Sequence, residues 1–284
     1  MRSFTGRVIK GVASRFKVAT ATGAVNCLAR GKLKAGGDIL VGDEVEVVRD
    51  RDVFVIERVL PRKNSLIRPY VANIDMCLIT LAPVPEPDYL LADKIIVNCL
   101  AENIAPVLVA NKCDIERVDL AEYNCVERVW CSAETPGGAD ELMKLIRGKT
   151  VCFAGQSAVG KSSLINALAG VAAQETGGLS KKTDRGRHTT RRTELIDLGE
   201  GTFVVDTCGF SMLETVDIPP EELRLYYDDF EPLRPRCRFS GCTHTEEPDC
   251  AVRAEVGKSV GAGRYQRYLA IYGELLMRRK TKYD

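Results

Sequence analysis

Two short words and their order restrict this chain more than anything else in it. Asn111-Lys112-Cys113-Asp114 fits N-K-x-D, and Gly155-Gln156-Ser157-Ala158-Val159-Gly160-Lys161-Ser162 fits G-x-x-x-x-G-K-S, with the first word upstream of the second. In the second word, glycines let successive backbone N–H groups curl around a β-phosphate without a Cβ in the way. Lys161 then bridges β- and γ-phosphates, and the Ser162 hydroxyl ligates Mg²⁺. The context fits a phosphate loop. Val151-Cys152-Phe153 reads as an apolar strand before it, and Ser163-Leu164-Ile165 opens a helix whose N-terminus favours anions.

The first word supplies a base reader. A carboxylate at Asp114 accepts from guanine N1–H and from the exocyclic amine, a donor pair that adenine lacks. Asn111 offers an amide to the base and a tether to the phosphate loop, while the Lys112 stem lies along the ring. Ser132-Ala133, directly after a strand-like run, matches the third piece, whose backbone N–H reaches guanine O6. A phosphate-loop ATPase or kinase is disfavoured by this base reader. Asp206-Thr207-Cys208-Gly209 ends the run Phe203-Val204-Val205 and matches D-x-x-G, with Asp206 placed to hold Mg²⁺ through water and Gly209 to sense a γ-phosphate. Between the phosphate words, Thr189 and Thr190 lie in Gly186-Arg187-His188-Thr189-Thr190, and one of them, Thr190 by preference, completes the Mg²⁺ shell. Usual GTP-binding domains begin with the phosphate loop and end with N-K-x-D and S-A. Joining the usual ends, and cutting ahead of the N-K-x-D unit, produces the order found here. Domain termini are often close enough for that rearrangement.

Around this core the rhythm changes twice. Gly6–Ser14, Arg15–Ala21, Ala24–Ala29, Glu44–Arg49 and Val53–Leu60 are short β-prone runs, fitting a small barrel of OB or SH3-like type. Pro61-Arg62-Lys63-Asn64 reads as a linker. Strands then alternate with helices: Asp75–Ala82, Pro106–Ala110, Glu127–Cys131, Thr150–Ala154, Thr193–Leu198 and Thr202–Asp206, with helices over Tyr89–Glu102, Asp140–Arg147 and Lys161–Ala169. Beyond about residue 217 a short helix is expected from Pro219-Pro220-Glu221-Glu222, and a later one presents Tyr265, Leu269, Tyr272 and Leu276 on one face. The expected architecture is an OB-like barrel over 1–62, a permuted α/β phosphate-loop core over 63–216, and a helical metal-binding region over 217–284. Cys237, Cys242, His244 and Cys250 fall within 14 residues. Three thiolates and an imidazole at such spacing suit one structural, tetrahedral Zn²⁺ with no open position for catalysis.

Charge and cysteine narrow the setting. The net charge is only +1, yet the first 37 residues carry eight Lys or Arg and no acid. A second basic run spans Lys181–Arg192, and a third comprises Arg278, Arg279, Lys280 and Lys282. Basic blocks on a nearly neutral chain point to a polyanionic partner. No apolar run is long enough to span a bilayer, and the first residues lack a secretory apolar segment, so neither membrane nor export is expected. Most of the 11 Cys sit singly in apolar runs, as in a protein of the reducing cytoplasm. A monomer is the expected working unit.

Taken together, the words resemble the ribosome small subunit-dependent GTPase A family, RsgA or YjeQ, along the full chain. Arg68-Pro69-Tyr70-Val71-Ala72-Asn73-Ile74-Asp75 and Glu247-Pro248-Asp249-Cys250-Ala251-Val252 add to the match. The family usually has Pro where Cys208 stands and an aliphatic residue where Cys113 stands. The resemblance implies an OB-fold, GTP hydrolysed to GDP, stimulation by the small ribosomal subunit, a part in its late maturation, and rRNA contacts from the flanking regions. Phe210 stands where many GTPases place a water-orienting Gln, which leaves His188 as the candidate catalytic side chain. A different class of function is also compatible with the sequence, a GTP-gated RNA-binding scaffold with incidental turnover.

Overall fold

The computed structural model describes residues 3–31, 33, 39–67, 70–175, 193–206 and 218–283. Five strands open the chain: β1 (Ser3–Val12), β2 (Arg15–Thr20), β3 (Gly23–Ala29), β4 (Glu44–Asp50) and β5 (Val53–Val59). Their inward residues alternate with solvated ones, and Val8, Val18, Cys27, Val45, Val47 and Ile56 close around a common core. Strand order is β1-β2-β3-β5-β4, with β4 returning to β1 and β3 running parallel to β5. This is a closed five-stranded barrel of OB type, which resolves the choice between the two small barrels. β1 has three neighbours: it pairs with β2 with a register shift between Val8 and Lys10, its Ser3–Arg7 pair with β4, and Lys10 lies opposite Glu194 of a later strand.

The segment expected as a plain linker is instead clamped. Arg62 forms a two-pronged pair with the fully buried Asp43 at 2.6 and 2.8 Å, Lys63 pairs with Asp75, and Asn64 exchanges bonds with Ile74. A small hairpin, β6 (Ser65–Ile67) and β7 (Tyr70–Ala72), follows.

The α/β core then adds β8 (Met76–Leu81), α1 (Tyr89–Ala101), β9 (Ala105–Ala110), β10 (Glu127–Trp130), α2 (Asp140–Ile146), β11 (Thr150–Ala154), α3 (Lys161–Glu175), β12 (Glu194–Gly199) and β13 (Thr202–Asp206). Spatial order is β10-β9-β8-β11-β13-β12, parallel except for β12. Every residue of β8 and β11 is buried, because helices cover both faces, and so both strands read as unbroken apolar runs. One apolar cluster packs α1 against one face, and a second packs α2 and α3 against the other.

After residue 217 the chain forms 3-10 turns at Pro220–Tyr226, Asp228–Phe230 and Arg234–Arg236, then α4 (Ala251–Ala254) and α5 (Ala262–Tyr283). Leu223, Tyr227, Phe230, Tyr265, Tyr268, Ile271 and Leu275 share a core with Val97 of α1. The buried face of α5 is therefore rotated from the expected one. Tyr268, Ile271 and Leu275 are inside, Leu269 and Tyr272 are only partly covered, and Leu276 is exposed.

Candidate nucleotide site and metal cluster

The loops that follow β8, β9 and β11 leave the carboxyl ends of neighbouring parallel strands, the edge where open α/β sheets bind ligands. They are held together by side chains of the base-reading word. Asn111, itself buried, donates from Nδ2 to the Val159 carbonyl at 2.9 Å, while its Oδ1 accepts from the Ala133 N–H at 3.3 Å. One amide thus spans the phosphate loop and the S-A loop. Lys112 donates to the carbonyls of Val84 and Ala158 at 2.6 and 2.9 Å, and the Cys113 N–H bonds the Cys131 carbonyl at 3.1 Å. Asp114 is exposed and has no hydrogen-bond or ion-pair partner among the described residues.

The phosphate loop has the spacing that its glycines require. A Cβ on Gly160 would stand 2.3 Å from Asn111 Nδ2, and one on Gly155 2.3 Å from the Thr80 carbonyl oxygen; both have positive φ. Val159 is buried beneath the loop, Ser157 and Ala158 face outward, Ser162 is exposed at the start of α3, and Ser163 is half-buried. Lys161 Nζ donates to the Gly155 carbonyl at 2.8 Å and also to that of Gln156. Partial burial pulls its pKa below the ordinary lysine value, a penalty that an adjacent phosphate removes. The Gln156 side chain carries a contact that the motif does not specify. Its Nε2 donates to the Glu86 carbonyl and its Oε1 accepts from the Asp88 N–H, both at 3.0 Å. Asp206 ends β13, beside β11. Thr189, Thr190, His188 and Gly209 lie outside the described residues.

Beside the first turns of α5, the ligand atoms of Cys237, Cys242, His244 and Cys250 all lie within 4.8 Å of one another. His244 Nδ1 stands 3.7 Å from Cys237 Sγ and 3.4 Å from Cys250 Sγ. Burial lowers the imidazole pKa to about 4, so the ring is the neutral form that binds metal, and burial pushes the Cys242 thiol up, a cost that a bound cation reverses. Glu247 fixes the loop by accepting from the N–H groups of Thr243 and Thr245 at 2.5 and 2.9 Å. The four residues can hold a metal ion.

An N-K-x-D loop stitched to a phosphate loop, with N-K-x-D first in sequence, is the arrangement of a circularly permuted GTPase. The comparisons with known proteins agree. The RsgA GTPase family model matches residues 59–216, and the RsgA N-terminal domain model matches residues 5–53. The small ribosomal subunit biogenesis GTPase RsgA of Caldanaerobacter subterraneus subsp. tengcongensis is 42% identical over 100% of this chain and 99% of its own. Its namesake in Agathobacter rectalis is 36% identical over 97% and 99%. Among solved structures, YjeQ from Thermotoga maritima superposes with a TM-score of 0.80 at 33% identity, covering 97% of this chain and 99% of its own. YloQ, described as a circularly permuted GTPase, gives 0.81 at 28% identity, covering 98% and 96%. The chain belongs to the RsgA GTPase family. Membership brings the use of Mg²⁺ with the nucleotide.

Proposed function

We propose that this chain hydrolyses GTP on the small ribosomal subunit during late maturation of that subunit, in the cytoplasm. The observation that carries the reading is the Asn111 bridge between phosphate loop and base loop, in a chain similar along its whole length to proteins named for small-subunit biogenesis. In this reading Asp114 takes the guanine N1–H and amine, and the Gly155–Ser163 amides cradle the phosphates. Ser162, Thr190 and, through water, Asp206 would hold Mg²⁺, which would supply charge compensation to the phosphates when bound. Three regions divide the work, at about residues 62 and 217.

The metal is zinc in this reading. With Zn–S about 2.3 Å and Zn–N about 2.0–2.1 Å at tetrahedral angles, the sulfur–nitrogen edge is about 3.6 Å. The 3.4 and 3.7 Å separations at His244 bracket that value.

For rRNA, the barrel's charges sort themselves. Arg7, Lys10 and Arg30 are already paired with Glu44, Glu194 and Glu57, whereas Arg15 and Lys17 on β2 are exposed and form no ion pair among the described residues. Arg15→Glu with Lys17→Glu should therefore weaken small-subunit binding and flatten its salt dependence. Each lost phosphate contact lowers the slope of log K against log salt by about one. An unchanged slope would remove β2 from the RNA contact.

The decisive experiment is GTP hydrolysis titrated with purified small subunits. Stimulation that saturates with subunit supports the proposal, and turnover indifferent to subunits favours the scaffold reading. In the same assay His188→Ala should cut stimulated turnover by about 10²-fold, the scale of a positioned proton-transfer or water-orienting group. Nucleotide and subunit affinity should stay nearly unchanged. Parallel loss of subunit binding would make His188 an RNA contact instead.

A further inference from the structure

The loop 83–88, between β8 and α1, is gripped from both halves of the nucleotide site. Lys112 of the base reader bonds Val84, and Gln156 of the phosphate loop bonds Glu86 and Asp88. Asp88 has a second task. Its carboxylate accepts from the Leu91 N–H at 2.8 Å and so caps the N-terminus of α1. The peptide group that Gln156 holds is therefore the first fixed point of a helix.

Five residues along α1, roughly 7–8 Å at helical rise, Asp93 is almost completely buried and faces α5. Arg264 Nη1 bonds Asp93 Oδ1 at 2.7 Å, and Arg267 Nε bonds Asp93 Oδ2. Arg267 also reaches Glu122 at 3.1 Å, and Glu122 in turn accepts from the Gly263 N–H at 2.8 Å. Separating a buried carboxylate from its guanidinium partners leaves an unpaired charge in a low dielectric, so α1 and α5 move together. Next to each of these arginines in sequence, Tyr265 donates to the His244 carbonyl at 2.7 Å, and Tyr268 donates to that of Thr243. Those carbonyls belong to the metal-ligand loop.

At the near end of this chain of contacts, Lys161 gives its ammonium to the carbonyls of Gly155 and Gln156. A phosphate in the loop offers a charge-assisted bond about twice as strong, which draws the ammonium away and frees the Gln156 peptide. Its side chain remains fastened to the cap of α1.

We propose that Gln156 and Asp93 are positioning residues that connect occupancy of the phosphate loop to α5 and the metal-ligand loop, through α1. The connection rests on the nucleotide-site reading above, and it needs no γ-phosphate. It is therefore separate from the D-x-x-G segment, which runs directly in sequence into the C-terminal region and would answer only to GTP.

Amide hydrogen exchange on the full chain, with and without saturating GDP, tests it. In the wild type, GDP should slow exchange at Lys161–Leu168 and also at Arg264–Tyr268, the latter by at least about fivefold, the lower bound of typical coupling between sites. In Gln156→Ala and Asp93→Asn, with GDP raised to saturate each, slowing at Lys161–Leu168 should persist while slowing at Arg264–Tyr268 disappears. Arg267→Gln, which leaves Asp93 its Arg264 partner, should give an intermediate value and guards against a folding defect in Asp93→Asn. Slowing of α5 that survives in Gln156→Ala, or is absent from a wild type whose phosphate loop is protected, would overturn the connection. No slowing at the phosphate loop of the wild type would overturn the nucleotide-site reading and the connection with it.

Discussion

Asp114→Asn should weaken GTP binding by about 2–4 kcal/mol and reverse the base preference, so that xanthosine triphosphate binds better than GTP. The amide presents one donor where the carboxylate presented only acceptors, leaving guanine N1–H or the exocyclic amine without a partner in a desolvated site. Xanthine carries an oxygen in place of the amine and so suits the new donor. The side chain is exposed and makes no bond among the described residues, and the geometry of the base loop rests on Asn111 and Lys112. The substitution should consequently leave the melting temperature within about 1 °C, given that exposed replacements usually shift stability by less than about 0.5 kcal/mol. Competition between the two triphosphates for the variant measures the reversal. A variant that still prefers GTP would take Asp114 out of the base reader.

Cys242→Ser should abolish stoichiometric metal binding, taking zinc from about one per chain to near none, and should loosen the region beyond residue 217. Structural zinc contributes about 10–16 kcal/mol to small zinc-dependent folds. Here part of that load is shared by the aromatic core of Tyr227, Phe230, Tyr265 and Tyr268, so α5 should fray rather than unfold outright. Elemental analysis and limited proteolysis read the two effects separately. Cys242 belongs to the core around α5, whereas the phosphate loop follows β11, so nucleotide binding should largely survive. A full complement of zinc in the variant would show that Cys242 is not a ligand.

What could be read ahead of the structure follows from how local each signal is. β8 and β11 are buried on both faces, and their unbroken apolar runs declare them. N-K-x-D and the phosphate loop are legible because their chemistry fixes residue types at fixed spacing. Contacts made at the free positions of those words are not legible: nothing in G-x-x-x-x-G-K-S says that Gln156 reaches Glu86 and Asp88. The hairpin Ser65–Ile67 with Tyr70–Ala72 escaped because its strands are three residues long and Pro69 interrupts the pattern. The face of α5 was misjudged for another reason. Tyr265, Leu269, Tyr272 and Leu276 satisfy helical periodicity, but so do Tyr265, Tyr268, Ile271 and Leu275, and only the position of α1 and the metal loop selects the second set. The pairing of Asp93 with Arg264 joins residues 171 apart in sequence, beyond any local pattern.

The single register pair between Lys10 of β1 and Glu194 of β12 has a consequence for any attempt to separate the regions. An open sheet must end somewhere, and its last strand offers unpaired N–H and C=O groups to whatever chain comes near. On one flank that strand is β10, which is short and carries Glu127 and Arg128. On the other it is β12, and the barrel covers it there, with Arg7 bonded to Thr150 and lying 5.4 Å from the Phe203 ring centroid. A truncated chain that starts after residue 60 would present β12 bare, next to an exposed Phe203. Such a fragment should self-associate at concentrations where the full chain does not, so the barrel acts as a guard against aggregation as well as a surface for other molecules.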